Sequence, residues 1–247
     1  MNSLVPTLSG VIDRRILVNF RARPEVVAKI LPAPFGPKLV RNWAMVGICL
    51  IRLKDIRPCG FPALCGLNSE NAAHRIAVEW GDNGATREGV FIPRRDTSSQ
   101  LQAFVGGQVF PGVHHRATFK VTESAGEFCL EMRSQEGVTT VEVRAKLANW
   151  LNPDSLFTSL AEASDFFARG SAGYSATGDA DCWDGLELYT TGWNVEPLEV
   201  SGVKSSFFDN REKFPDGTIE FDCGLLMRGI DHEWRTLPQM RHPETLT

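Results

Sequence analysis

The sequence has no long run of apolar residues, and its 26 lysines and arginines are scattered along 247 residues rather than clustered. A membrane-spanning helix needs about 18 or more consecutive apolar residues, so no membrane partner is expected. A nucleic-acid-binding surface needs a dense basic patch, so no nucleic acid is expected as a partner either. The first 15 residues lack the basic start and apolar core of a secretory signal, and we therefore expect a cytoplasmic protein.

Cysteines and the common catalytic motifs are also sparse. The six cysteines, at positions 49, 59, 65, 129, 182 and 223, form no C-x-x-C pair and no close cluster with histidine. Disulfide frameworks are typical of short secreted chains and structural zinc sites need closely spaced ligands, so we interpret these residues as free thiols. The sequence lacks a P-loop, a G-x-S-x-G turn and the H-x-H and H-E-x-x-H spacings. We expect no cofactor and no bound metal.

Short segments with the two-residue period of a β-strand recur along the chain. Polar and apolar side chains alternate in residues 72–80, 127–133 and 140–147, so each segment places its apolar side chains on one face. In residues 72–80 this apolar face carries His74, whereas Arg75 points the other way. Such a pattern predicts strands that are half buried.

The remaining segments complete the predicted fold class. Residues 42–51, NWAMVGICLI, form a nearly continuous apolar run, which indicates a strand buried on both faces. Residues 23–32 and 152–170 favour helices, because proline and capping residues stand at their starts. Strands outnumber helices and do not alternate regularly with them. We therefore predict a single α+β domain over residues 1–247, mainly β, with an antiparallel sheet or barrel.

Several longer segments resemble a known family. They are RRILVNFRARPEVVAKILPAPFGP (14–37), GLNSENAAHRIAVEW (66–80), GVFIPRRDTSSQL (89–101) and GGQVFPGVHHRATF (106–119). The first resembles the opening of the acetoacetate decarboxylase-like superfamily, and the others are similar to its uncharacterised DUF2071 branch. The resemblance runs from about Ile12 to Lys120 and continues weakly to CGLLMRGIDHEW. It implies a cone-like antiparallel β-barrel with flanking helices and a ligand cavity inside the barrel.

The resemblance also implies candidate site residues. In the decarboxylases of this superfamily a lysine forms a Schiff base with the keto substrate, and a second lysine lowers the pKa of the first. His114 and His115 stand where that pair would be, and an imidazole has no primary amine, so Schiff-base decarboxylation from this position is excluded. Glu70 matches an active-site glutamate. Arg14 or Arg15 matches a carboxylate-binding arginine, with the register open by one residue.

These residues favour acid-base chemistry on a small carboxylated substrate. A histidine exchanges protons near neutral pH, and Glu70 can relay them, so His114 or His115 could enolise a keto acid, dehydrate a hydroxy acid or isomerise a double bond. The leading hypothesis is a lyase, hydratase or isomerase. One alternative is a non-catalytic small-molecule-binding protein. Another is a metal-dependent enzyme, with His232 as a further ligand.

The sequence supports two opposite orientations for the adjacent histidines. Extending the apolar face of the following strand, from Ala117 and Phe119 backwards, turns His115 inward and His114 outward. The family resemblance favours His114 inward instead. A bulge after Gly112 would reconcile the two, because one extra residue inverts the facing.

His74 also has two possible interpretations. It is either a substrate-binding group beside the histidine pair or a core histidine satisfied by a hydrogen bond, and we favour the core. Similarly, Arg94, Arg95 and Asp96 could bind an anionic substrate or form an exposed ion pair in a turn, and we favour the turn.

Two further expectations concern lysines and loops. Lys120 and Lys204 are the lysines nearest the candidate segments, and their polar neighbours do not indicate burial. The glycine-rich residues 170–178 indicate a loop or a lid. Members of the superfamily often assemble into oligomers, so the resemblance allows a homo-oligomer.

Overall fold

The computed structural model describes residues 7–62, 64, 66–82, 84–100, 112–177, 179 and 181–241. The helices bounded within these residues are α1 (Pro24–Ala28) and α2 (Leu160–Arg169). The strands are β1 (Leu8–Ala22), β2 (Gly36–Pro37), β3 (Leu39–Val40), β4 (Trp43–Pro58), β5 (Leu67–Asp82), β6 (Ala85–Thr97), β7 (His114–Ser124), β8 (Glu127–Ser134), β9 (Thr140–Leu147), β10 (Ala172–Ala176), β11 (Cys182–Thr190), β12 (Glu196–Ser205) and β13 (Ile219–Arg241). None of the described helices is long and apolar enough to cross a membrane.

All these strands belong to one mixed sheet. Its order is β11-β10-β6-β7-β8-β9-β12-β13-β1-β4-β5-β2, with β3 on β4, and the pairing of β5 with β6 closes it into a ring. A further pairing joins β11 to β13. The mainly-β α+β class is confirmed. The sheet is not wholly antiparallel, because β6 runs parallel to β7 and β10. A parallel pair needs a long connection, and residues 98–113 separate β6 from β7.

Apolar side chains cover both faces of the sheet. In β1, Ile16 packs into one hydrophobic cluster and Leu17 into another, because successive side chains of a strand point to opposite faces. We call the side with Ile16 the first face and the side with Leu17 the second face. In β4, Ile48 lies on the first face and Cys49 on the second, which confirms the two-sided burial predicted for residues 42–51.

Helix α2 covers part of the second face. The Ser159 hydroxyl accepts a hydrogen bond from the backbone N–H of Glu162 at 3.1 Å and so caps the first turn. The buried side chains of the helix are Ala163, Phe166 and Phe167, and all three pack into the second-face cluster. The helix therefore closes a space between itself and the sheet.

The helix begins later than residue 152, where the sequence predicted its start. The carboxylate of Asp222 accepts hydrogen bonds from the Ser155 hydroxyl at 2.6 Å and from the backbone N–H of Leu156 at 2.9 Å. These bonds hold the preceding segment in turns and bends. A carboxylate from a strand distant in sequence, which no local pattern reveals, therefore fixes the helix start.

Two predicted loops are strands. The turn predicted around Arg94 to Asp96 lies within β6, and the loop predicted at residues 170–178 contains β10. Each of these strands hydrogen-bonds to a neighbour on both sides, β6 to β5 and β7, and β10 to β6 and β11. Pairing within the sheet thus overrides the local preference of glycine, serine and charged residues for turns.

Candidate functional site

A cavity of about 140 Å³ lies on the second face of the sheet, beneath helix α2. Its apolar wall includes Cys49 and Ile51 from β4, Phe166 and Phe167 from α2, and Trp193. The polar residues that line it are Arg15, Lys38, Asn71, Arg75, Arg95, Asp96, His114 and Ser171. The lining thus combines aromatic surface with a marked excess of cationic side chains.

His114 is the histidine of the predicted pair that lines this cavity. It is the first residue of β7 and pairs in the parallel register with Arg95 of β6. Its Nδ1 lies 3.2 Å from the carbonyl oxygen of Gly112, which can only accept a hydrogen bond, so Nδ1 carries the proton and Nε2 carries the lone pair. Burial, reinforced by the Arg95 guanidinium, lowers the pKa of His114 to about 3, so the ring is neutral at pH 7.

The turn before His114 requires glycine at position 112. Gly112 has φ = +84°, a left-handed conformation that side-chain-bearing residues rarely adopt. A Cβ atom there would lie 2.5 Å from the Cβ of Ser175 on β10. This close approach brings the start of β7 against β10 and places the His114 ring at the cavity.

His115 points to the first face. Its Nδ1 lies 3.1 Å from the Glu136 carboxylate, and its side chain is 35% exposed. Ala117, two residues on, packs into the first-face cluster, so the alternation predicted along β7 holds without a bulge. The predicted conflict came from equating the apolar face of β7 with the cavity face, because the cavity lies on the opposite side.

Of the two arginines matched to the carboxylate-binding position, Arg15 lines the cavity. Its Nε donates to the Cys49 sulfur at 3.3 Å, and its guanidinium carbon lies 5.6 Å from the centre of the Trp193 ring. Its Nη1 is buried and has no hydrogen-bond partner among the described residues. Arg14 lies on the first face and is 1% exposed.

Glu70 is not part of the described cavity lining. It accepts hydrogen bonds from Arg14 Nη2 and from Arg52 Nε, each at 2.6 Å. Glu123 also pairs with both arginines. The predicted acid-base partnership between Glu70 and His114 is therefore not formed, since Glu70 belongs to an ion-pair network and His114 to the cavity on the second face.

His74 is a core residue. It is fully buried on the first face, where its Nε2 lies 3.0 Å from the Ser205 hydroxyl and its ring contacts Phe207 and Phe208. Burial, with Arg94 nearby, lowers its pKa to about 3. This arrangement agrees with the core interpretation and separates His74 from the cavity.

Sequence reasoning missed Arg75 as a cavity residue. Arg75 is 6% exposed, its Nη2 donates to the Asn19 side-chain oxygen, and its guanidinium carbon lies 4.7 Å from the centre of the Phe167 ring. Burial lowers its pKa to about 10. The alternation in residues 72–80 placed Arg75 correctly opposite His74 but could not reveal that this opposite face is also buried.

Arg95, for which the sequence favoured a turn over anion binding, lines the cavity, and so does Lys38, which the sequence did not single out. Arg95 Nε donates to the Ser175 hydroxyl at 2.8 Å, and burial lowers the Arg95 pKa to about 10. Lys38 pairs with Glu88, and its Nζ lies 4.3 Å from the centre of the Phe166 ring. The local sequence does not decide the place of either residue, because both reach the cavity through strand pairing and helix packing.

Lys120 and Lys204 lie at the surface, as their polar neighbours indicated. Their side chains are 86% and 76% exposed, and they pair with Glu131 and Glu142. The described residues contain no group of three or more histidine, cysteine, aspartate or glutamate side chains able to hold a metal ion.

Comparison with known proteins agrees with this fold. The model of the DUF2071 family, described as uncharacterized conserved proteins, matches residues 12–201. No curated protein matches the sequence. An acetoacetate decarboxylase-like enzyme from Sphingomonas wittichii RW1 is similar in structure, with a TM-score of 0.62 and 11% identity, covering 97% of this chain and 93% of that one.

Two further solved structures share the fold. Acetoacetate decarboxylase from Legionella pneumophila has a TM-score of 0.59 and 12% identity, covering 100% of this chain and 92% of that one. The enduracididine biosynthesis enzyme MppR, complexed with pyruvate, has a TM-score of 0.55 and 10% identity, covering 96% of this chain and 91% of that one. At these identities the likeness establishes the acetoacetate decarboxylase-like fold.

Proposed function

Because the chain belongs to the DUF2071 family and has the acetoacetate decarboxylase-like fold, we propose that it is a small-molecule enzyme that moves a proton on a carboxylated substrate. The reaction class is that of a lyase, hydratase or isomerase acting on a keto or hydroxy acid. The observation that carries the proposal is His114, a neutral imidazole that lines a small, largely apolar cavity beside arginine side chains.

His114 is assigned the role of proton acceptor. Its Nε2 lone pair would take the proton from the carbon next to a substrate carbonyl, and the electrons of the broken C–H bond would move onto the carbonyl oxygen as an enolate. Arg95, directly opposite His114 in the sheet, would stabilise that oxygen. Burial and, after it, the Arg95 guanidinium lower the pKa of His114 to about 3. The negative charge that develops on the substrate oxygen beside Arg95 would stabilise the imidazolium that forms when His114 takes the proton.

Arg15 is assigned the role of binding the substrate carboxylate. A guanidinium group binds a carboxylate through two parallel N–H donors, and the buried Nη1 of Arg15 has no described partner. Pyruvate bound to MppR, a protein with the same fold, is consistent with a short keto acid as ligand. The aromatic side chains Phe167 and Trp193 would exclude water and strengthen this ion pair.

A non-catalytic binding protein is the second candidate. One observation favours it: Glu70, the predicted partner of the histidine, is held between Arg14 and Arg52 and leaves His114 without that carboxylate. A cavity with cations and one imidazole would still bind a carboxylate tightly. Turnover therefore separates the two candidates.

Solvent deuterium exchange tests the proposal. Wild-type protein in D₂O with a panel of keto and hydroxy acids is expected to exchange the hydrogen next to the carbonyl of at least one of them. His114→Gln is expected to lower the exchange rate by about 100-fold or more, in the range of general-base contributions. The matched control is His115→Gln, which changes the neighbouring histidine on the other face and should retain exchange within about threefold. Equal rates in wild type and His114→Gln would overturn the proposal, and binding without exchange would favour the binding protein.

A further inference from the structure

Three arginines, of which Arg75 is buried and Arg15 and Arg95 are partly buried, line one cavity without a carboxylate among their described partners. Arg15 bonds to the Cys49 thiol, Arg75 to the Asn19 amide and Arg95 to the Ser175 hydroxyl. We propose that this cavity takes a short-chain dicarboxylate, with one carboxylate on Arg15 and the second on Arg75. The inference rests on the proposed function for the position of the first carboxylate, and Arg75 defines a second anion position.

Asp96, the acidic residue of the described lining, does not neutralise these charges. Asp96 contributes to the cavity lining, but its carboxylate accepts hydrogen bonds from Arg94 at 2.7 and 3.1 Å. A buried cation without a counter-ion is costly for a protein, since the charge loses its hydration. Carboxylates supplied by a ligand would restore the balance.

Arg75 has the features of a binding position. It is 6% exposed and lines the cavity, and its Nε has no hydrogen-bond partner among the described residues. The Phe167 ring covers its guanidinium, which restricts water on that side. A carboxylate reaching Arg75 would therefore form its ion pair in a largely dehydrated environment, where such pairs are strong.

Strand register separates the two anion positions. Arg75 pairs with Gly47 of β4, which in turn pairs with Asn19 of β1. The Arg75 guanidinium donates a hydrogen bond to the Asn19 side chain and therefore lies at this level of the sheet. The guanidinium of Arg15 reaches Cys49, two residues beyond Gly47, which is about 7 Å along the strand at ~3.3 Å per residue. Two groups at this spacing suit the two ends of a short diacid better than one small anion.

The size and walls of the cavity limit the rest of the ligand. A cavity of about 150 Å³ holds a benzene-sized molecule, so 140 Å³ suits a ligand of about six to ten non-hydrogen atoms and excludes nucleotides. The apolar side chains of Ile51 and Trp193 suit a short methylene chain. A ligand that is anionic at both ends and apolar between them fits this lining.

Calorimetric titration with three probes tests the inference: succinate, its mono-amide succinamate, and butanoate. The three have similar chains and differ in the second terminal group. Wild-type protein is expected to bind succinate at least about tenfold more tightly than succinamate, because a charged second group gains a charge-assisted pair with Arg75. Arg75→Met is expected to reduce this ratio to below about threefold while changing succinamate affinity little. Arg144→Met, at an exposed arginine of β9, is the matched control and should leave the ratio unchanged.

The outcomes distinguish this inference from the proposed function. Equal binding of succinate and succinamate by wild type overturns the dicarboxylate, and His114-dependent exchange on monocarboxylates would then leave the proposed function standing. A succinate preference without His114-dependent exchange supports the dicarboxylate and overturns the proton transfer. The wild-type ligand series decides the question even if Arg75→Met does not fold. A preference retained in folded Arg75→Met removes Arg75 as the second anion position and overturns the assignment.

Discussion

His114 and Arg95 stand directly opposite each other on the parallel strands β7 and β6, and both line the same cavity. Burial, followed by the charge of the Arg95 guanidinium, disfavours the protonated imidazole and lowers the pKa of His114 to about 3. Negative charge developing on a substrate oxygen beside Arg95 would weaken the contribution of the guanidinium. Charge development on the substrate and the basicity of His114 would therefore be coupled through this pair of residues.

Stability should fall with acidity because the fold holds His74 neutral. Its pKa is about 3 in the folded protein and about 6.5 in an unfolded chain, so the unfolded state binds more protons below pH 6.5. The stabilisation is complete above about pH 6.5 and is lost as the pH falls towards 3. His74→Gln should therefore reduce the slope of unfolding free energy against pH by up to about 1.4 kcal/mol per pH unit between about pH 6 and pH 4. Urea unfolding across this range measures the slope, and an unchanged slope in the variant would contradict the assignment.

Glu70 should prove structural rather than catalytic. Glu70→Gln removes one carboxylate from Arg14, whose side chain is 2% exposed, and should lower the unfolding free energy by about 2 to 4 kcal/mol. Deuterium exchange by the folded variant should remain within about threefold of wild type, because Glu70 is outside the described lining. Glu131→Gln, at an exposed pair, is the stability control. A loss of exchange with full stability would restore Glu70 to the catalytic role implied by the resemblance.

Gly112 should be sensitive to substitution for two separable reasons. Gly112→Ala combines a positive φ with a Cβ atom 2.5 Å from Ser175, and is expected to destabilise the protein by about 2 to 4 kcal/mol and to displace His114. Gly217→Ala is the control for the backbone alone, since its φ is +75° and its added Cβ meets open space. Its expected cost is about 1 kcal/mol. Thermal unfolding of both variants measures the difference, and equal destabilisation would exclude the steric contribution.

Lys38 should not form a Schiff base. Its Nζ forms an ion pair with Glu88, and an amine engaged with a carboxylate is not free to attack a carbonyl carbon. Borohydride reduction in the presence of pyruvate, followed by mass spectrometry, is therefore expected to leave the chain unmodified at Lys38. A reduced adduct that disappears in Lys38→Ala would instead assign this lysine the imine-forming role that the histidine pair cannot take.

The sequence alone determined that strands dominate the fold and brought two of the cavity residues into view. The sequence predicted burial of residues 42–51 on both faces, because the apolar run is too long and too uniform for a strand with one solvent-exposed face. The segment resemblance brought His114 and Arg15 into consideration, and both line the cavity. These features are local, because periodicity and short segments carry the information.

Only the tertiary structure decided which face of each strand lines the cavity. The sequence placed Arg75 opposite His74 and alternated the facing of residues 114–121 correctly, yet it could not say on which of the two faces the cavity lies. Arg95 was assigned to a turn, and Glu70 to the histidine, because pairing across a closed sheet joins residues far apart in the chain. Strand alternation fixes relative orientation within a strand, whereas the packing of helix α2 against the second face determines where the cavity forms.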